Sequence, residues 1–127
     1  MPFMGALQRL KQVLAERNVP FVEEPNSITV KAKAPSGFDV SLHEGEETSV
    51  FFEGWHDHFA DPEEAVRCFL AGLSPQCRIR VTERGGKPHN WVLERRKDDQ
   101  WLPYGTTGLL FFQFWRAPKV KYLQNGI

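Results

Sequence analysis

The chain has no apolar run near 18 residues, which excludes a helical membrane span. Its first residues, Met1-Pro2-Phe3-Met4-Gly5, place no basic stretch ahead of an apolar core. No signal peptide is therefore expected, and the expected compartment is the cytoplasm. The only cysteines are Cys68 and Cys77, too few for a disulfide framework, and they read as reduced thiols. Net charge is also lacking: sixteen basic and sixteen acidic residues cancel, so the chain as a whole is not the strongly basic kind that coats nucleic acid. There is no glycine-flanked serine elbow, no His-Glu-x-x-His pair and no RNA-binding aromatic motif. Gly85-Gly86-Lys87 lacks the loop length, the following Ser/Thr and the helix of a phosphate loop, and reads as a hairpin turn. No linker or low-complexity stretch divides the sequence, so a single domain over residues 1–127 is expected.

What is present is an ordinary globular mixture, 41% apolar and 25% charged. A chain of 127 residues buries roughly two-thirds of its unfolded surface. It needs no disulfide or metal to fold, so no structural metal and no cofactor are expected. Charge is uneven along the chain. Residues 1–63 carry five basic and eleven acidic residues, and residues 64–127 carry eleven basic and five acidic. Such a dipolar layout steers charged partners if the halves stay apart in space.

Met4, Leu7, Leu10, Val13 and Leu14, with Phe3, recur at helical spacing and predict a helix over about residues 4–17. Asn18 suits a left-handed cap and Pro20 prevents continuation. Alternation then predicts strands through Ile28, Val30, Ala32 and Ala34, through Phe38, Val40 and Leu42, and from Thr48 to Glu53. Asp61 reads as an N-cap, Pro62 as the first helical residue and Glu64 as the third member of a capping-box-like arrangement. Ala65, Val66, Phe69, Leu70 and Leu73 form that second helix's buried stripe. Beyond it, Ile79 and Val81, then Trp91 and Leu93, then residues 101–104 mark strands. Turns are predicted at residues 84–87, 97–100 and 105–108. Residues 109–115 are apolar on both faces and predict a central strand, and residues 119–124 a last one. The predicted class is α+β: an antiparallel sheet of about seven or eight strands with two helices, in the order helix, strands, helix, strands.

Three constellations carry possible function. Trp55-His56-Asp57-His58-Phe59 concentrates two histidines, an acid and two aromatics just before the second helix. In an extended segment His56 and His58 project to one side and Asp57 to the other. Two neutral imidazoles suit zinc if His43, His89 or an acid joins them. Alternatively His56 or His58 is a general base, with an Asp to orient it and Cys68 or Cys77 as nucleophile. The structural alternative is a loop leading into the helix, anchored by Trp55 and Phe59. The second constellation is a basic stripe of Arg78, Arg80 and Arg84, joined by Arg96, Lys119 and Lys121 if the strands form a simple meander. It offers an anion-binding or nucleic-acid-binding face interrupted by Glu83 and Glu94. The third is aromatic: of sixteen Phe, Trp and Tyr, eight lie beyond residue 90, and Phe111, Phe112, Phe114 and Trp115 cannot all face one side of a sheet.

The favoured expectation is a small non-enzymatic protein-interaction domain. Its contact residues would be Trp55, Phe112, Phe114 and Trp115 on an aromatic surface, or Glu46 and Glu47, with Glu44, on an acidic edge. A protein partner or self-association is expected, and no membrane. The alternatives are a metal-dependent or histidine-based enzyme centred on His56 and His58, and an anion or nucleic-acid binder. In the order of its elements the chain resembles small bacterial adaptors, such as secretion chaperones and toxin-neutralising immunity proteins. The resemblance implies a sheet face that holds a partner. The interleaved charges depart from the strongly acidic character of secretion chaperones.

Overall fold

A computed structural model of the chain describes residues 5–109 and 113–126. Helix α1 (Ala6–Glu16) is followed by β1 (Val22–Glu24), β2 (Ser27–Val30), β3 (Val40–Glu44), β4 (Thr48–Phe52) and β5 (Trp55–Phe59). Helix α2 (Pro62–Leu73) precedes β6 (Cys77–Arg84), β7 (Lys87–Lys97), β8 (Gln100–Gly108) and β9 (Pro118–Leu123). This is the predicted α+β class and order. The described strands number nine, however, and divide into two antiparallel sheets, β1-β2-β3-β4-β5 and β8-β7-β6-β9.

Periodicity explains the elements. Ala6, Leu10, Val13 and Leu14 bury one face of α1, whereas Phe3 and Met4 lie outside the described residues. Asn18 closes that helix at φ 56° as its short polar side chain allows. Gly5 offers no side-chain cap. Instead Glu44 Oε2, from the end of β3, accepts from the Leu7 N–H at 3.0 Å. This glutamate, expected on an acidic edge, is thus a carboxylate held at a helix N-terminus. In α2 the Asp61 carboxylate accepts from the Glu63 N–H at 3.0 Å, with Pro62 in the first turn. We expect Asp61→Ala to cost roughly 1 kcal/mol, read as a lowered denaturation midpoint with an unchanged slope.

Both helices and both sheets feed one apolar cluster, with Leu10, Phe38, Phe52, Trp55, Phe69 and Ile79 among its members. Gly72 lies in α2 where Phe52 packs against it, and a Cβ would run into that ring. The helix thereby comes close to β4.

Three local expectations are corrected. Residues 105–108 are strand rather than turn: β8 stays paired with β7 up to Gly108↔Asn90. Gly105 serves a close approach, since a Cβ there would lie 3.2 Å from the Trp55 indole nitrogen. The central strand expected over residues 109–115 is absent at its described residues. Leu109 and Gln113 are outside any strand, Phe114 and Trp115 sit in a turn, and Phe111 and Phe112 lie outside the described residues. β8 and β9 occupy opposite edges of their sheet, three strand spacings of about 4.8 Å apart. The second half is consequently not a simple meander, because β9 returns beside β6. Lys119 and Lys121 pair with Glu83 and Val81 there. Lys121 thus lies on the Val81 side of the sheet, away from Arg78 and Arg80.

Candidate functional site

The histidine segment is a strand, β5, at the edge of the five-stranded sheet. Its register sorts its residues cleanly. Trp55, opposite Phe52, is 1% exposed and belongs to the core, so its indole is not at the surface. His56 and His58 project to the other face and are exposed, as is Asp57. Across β3, β4 and β5 run two rows, His43–Ser49–His58 and Ser41–Phe51–His56. Rings touch along this face. His43 stands edge-on to Phe51 at 5.1 Å, Phe51 stacks on His56 at 5.6 Å, and His56 meets His58 at 5.7 Å.

Ser49 Oγ lies 2.7 Å from His58 Nδ1, and Glu47 Oε2 lies 3.4 Å from the same nitrogen. A serine–histidine–acid relay needs the serine on one ring nitrogen and the acid on the other. With both on Nδ1, these three residues do not make that relay. Among the described residues no three His, Cys, Asp or Glu side chains group around a point where a metal ion would sit. Glu46 and Glu47 are exposed in the β3–β4 hairpin.

The two thiols meet at a cavity of about 310 Å³ between α2 and the sheets, with Phe52, Phe59 and Leu93 as apolar lining and Arg67, Arg95 and Tyr104 as polar lining. Burial pushes the Cys68 thiol up to about 12, with the nearby Cys77 and Asp57 adding to the shift against Arg95. Burial also raises Cys77, although Arg95 bonds to it and pulls the other way. Tyr104 is raised as well, chiefly by burial. A nucleophilic cysteine needs the opposite shift. For Cys68, a rise from 9.0 to about 12 lowers the thiolate fraction at pH 8 about a thousandfold. We expect iodoacetamide to leave Cys68 unlabelled in native buffer and to label it in denaturant. The unfolded chain releases this proton near 9.0 and the folded chain near 12. The associated stability is therefore intact below pH 9 and lost as pH rises towards 12.

The arginines lie on the outer face of the four-stranded sheet, with Arg78 opposite Glu94. Arg78 Nε donates to Glu94 Oε1 at 2.7 Å, and Arg80 lies 3.6 Å from the other oxygen. The Arg78 guanidinium is also between two rings, 4.3 Å from Trp101 and 4.1 Å from Tyr122. Arg84 donates to the carbonyls of Phe114 and Arg116 at 3.1 and 2.7 Å, tying the turn before β9 to the end of β6. Arg96 pairs with Asp99 at 3.4 Å. Each of these four arginines thus meets an acceptor of its own chain. Sequence reasoning treated Glu94 as an interruption and missed that it anchors the stripe. The signal available was its odd place as an acid between Leu93 and the basic run Arg95-Arg96-Lys97.

Exposed apolar side chains are concentrated. Among the described residues eight large ones are exposed, and seven of them fall between Leu102 and Tyr122. Phe114 and Trp115 are the most open, at 72% and 69%, and they meet edge to face at 5.3 Å. No helix among the described residues is long and apolar enough to cross a membrane. Comparison with known protein families, with characterised proteins and with solved structures finds no match to this chain.

Proposed function

We propose that this protein is a non-enzymatic interaction domain, of the adaptor or immunity kind, that holds a protein partner against the aromatic side of its four-stranded sheet. The observation that carries the reading is the placement of the exposed apolar residues. Val120 and Tyr122 of β9 lie on the Arg80 face, where Tyr122 and Trp101 flank Arg78, and Phe114 and Trp115 stand exposed just before β9. Apolar surface concentrated in this way, next to arginines, has the composition of a partner-binding patch. The Arg78–Trp101–Tyr122 stack supports it by holding two large rings in place on an open face. The acidic hairpin with Glu46 and Glu47 is the secondary contact in this reading. The same reading places the protein in a reducing compartment, the cytoplasm, which suits the free thiols Cys68 and Cys77.

The test combines sedimentation of the purified chain with cross-linked capture from the native host. Truncating an aromatic anchor costs about 2 kcal/mol or more, roughly thirtyfold in affinity. Self-association or a captured protein should therefore disappear with Phe114→Ser plus Trp115→Ser and survive Glu16→Gln on α1. A strictly monomeric chain that captures nothing, or capture unaffected by the double substitution, would sink the proposal.

A further inference from the structure

The face that carries the histidines ends, at the β4–β5 turn, in an open cavity of about 390 Å³. Phe51 and Trp91 give it aromatic walls, Asp39 and Glu53 give it carboxylates, and among the described residues no lysine, arginine or histidine lines it. Asp39 is partly spent, since it accepts from the Ala32 N–H at 2.8 Å and lies 3.4 Å from Lys31 Nζ. Glu53 is not spent: among the described residues no hydrogen bond or ion pair engages it.

The turn that presents Glu53 is built against ordinary turn preference. Phe52 pairs with Trp55, so Glu53 and Gly54 are its two central residues. The left-handed position, φ 56°, is occupied by the glutamate and not by the glycine. Hairpin chemistry would put the glycine there. Gly54 has a separate reason, since a Cβ on it would run into the Trp91 indole. The glycine thus lets Trp91 close down on the turn and form the cavity wall. The glutamate holds a conformation glycine would adopt without strain, and its carboxylate lines the cavity.

A cavity with π-faces, one uncommitted carboxylate and no lining base selects an organic cation. We propose that it binds the guanidinium of an arginine side chain carried by a partner polypeptide. A guanidinium is planar, so it can lie on the Trp91 indole while its N–H groups reach Glu53. The cavity is continuous, through Phe51, with the row of His56 and His58. Glu46 and Glu47 stand on the hairpin at the other end of β4. A chain carrying the arginine thus gains contacts and acidic surroundings that a free cation does not. Trp91 and Pro88 reach the cavity from β7, and by register Trp91 is on the Val81 side of its sheet, away from the face of Arg80 and Tyr122, so the site does not depend on that reading.

The probe is a six-residue peptide of alternating glycine and arginine, titrated at physiological ionic strength while the indole N–H resonances are followed. The matching glycine–glutamate peptide serves as the charge control. The expected result is saturable binding of the arginine peptide alone, with the Trp91 indole shifted. Glu53→Gln should weaken it roughly five- to tenfold at unchanged melting temperature. Glu53→Gly should weaken it at least as much while raising the melting temperature, because it relieves the left-handed strain. Equal binding by wild type and Glu53→Gln, or no shift at Trp91, would overturn the site. N-acetylarginine amide binding as tightly as the peptide would overturn the assignment to a partner chain.

Discussion

Asn125→Leu should be among the most damaging single substitutions in this chain, lowering unfolding free energy by about 3–5 kcal/mol. Asn125 is 8% exposed, near the end of the chain, and its amide closes three backbone groups. Its Oδ1 accepts from the Phe38 N–H at 3.1 Å, while Nδ2 donates to the Phe38 carbonyl and to the Gly72 carbonyl, each at 3.0 Å. One side chain thus joins the segment after β9 to the segment leading into β3 and to the last turn of α2. Leucine has about the same volume and none of these bonds, so a donor and two acceptors stay buried without partners. Each such orphan costs about 1–3 kcal/mol. Gly37 belongs to the same arrangement, because a Cβ on it would lie 2.6 Å from Asn125 Oδ1. Denaturant unfolding measures the loss. A cost under about 1 kcal/mol would mean that the C-terminal segment is not docked in the folded protein.

The second large effect is expected at Glu94. Its side chain is 8% exposed and faces Arg78, 22% exposed, across β6 and β7. Glu94→Ala removes the only carboxylate within salt-bridge distance of Arg78 and Arg80 among the described residues. Breaking a fully buried pair from one side costs about 3–5 kcal/mol. Arg78 keeps some water and its two aromatic neighbours, so about 2–3 kcal/mol is the expected loss. The double change Glu94→Leu with Arg78→Met should recover most of it, since it removes both charges and keeps the volume. If the double variant is as unstable as the single, the network does not account for the loss. Indole fluorescence gives a further reading, as Trp101 loses its cationic neighbour in the double variant.

The candidate surfaces were legible to different degrees. That His56 and His58 share a face follows from strand periodicity alone, as does the opposite setting of Asp57. What Ser49 and Glu47 do there depends on cross-strand register, which no local pattern states. For the arginines, alternation within β6 puts Arg78 and Arg80 together on one face. Their neutralisation by Glu94 depends on the irregularity between Thr82 and Glu83 in the β6–β7 pairing. Continuing the register from the Arg84↔Lys87 end would have set Arg78 opposite Leu93.

Local chemistry by itself determined the two helices, their caps at Asn18 and Asp61, the turns at residues 84–87 and 97–100 and the α+β class. Each of these rests on near neighbours in the chain: periodicity, a short polar cap, a residue that tolerates positive φ. Tertiary structure alone decided the division into two sheets and the return of β9 beside β6. It also placed Gly54 beneath Trp91, and Asn125 against a backbone 87 residues away in sequence. Those outcomes depend on which strand edges and side chains find each other across the chain. That is a competition among distant pairings, and the local pattern leaves it open.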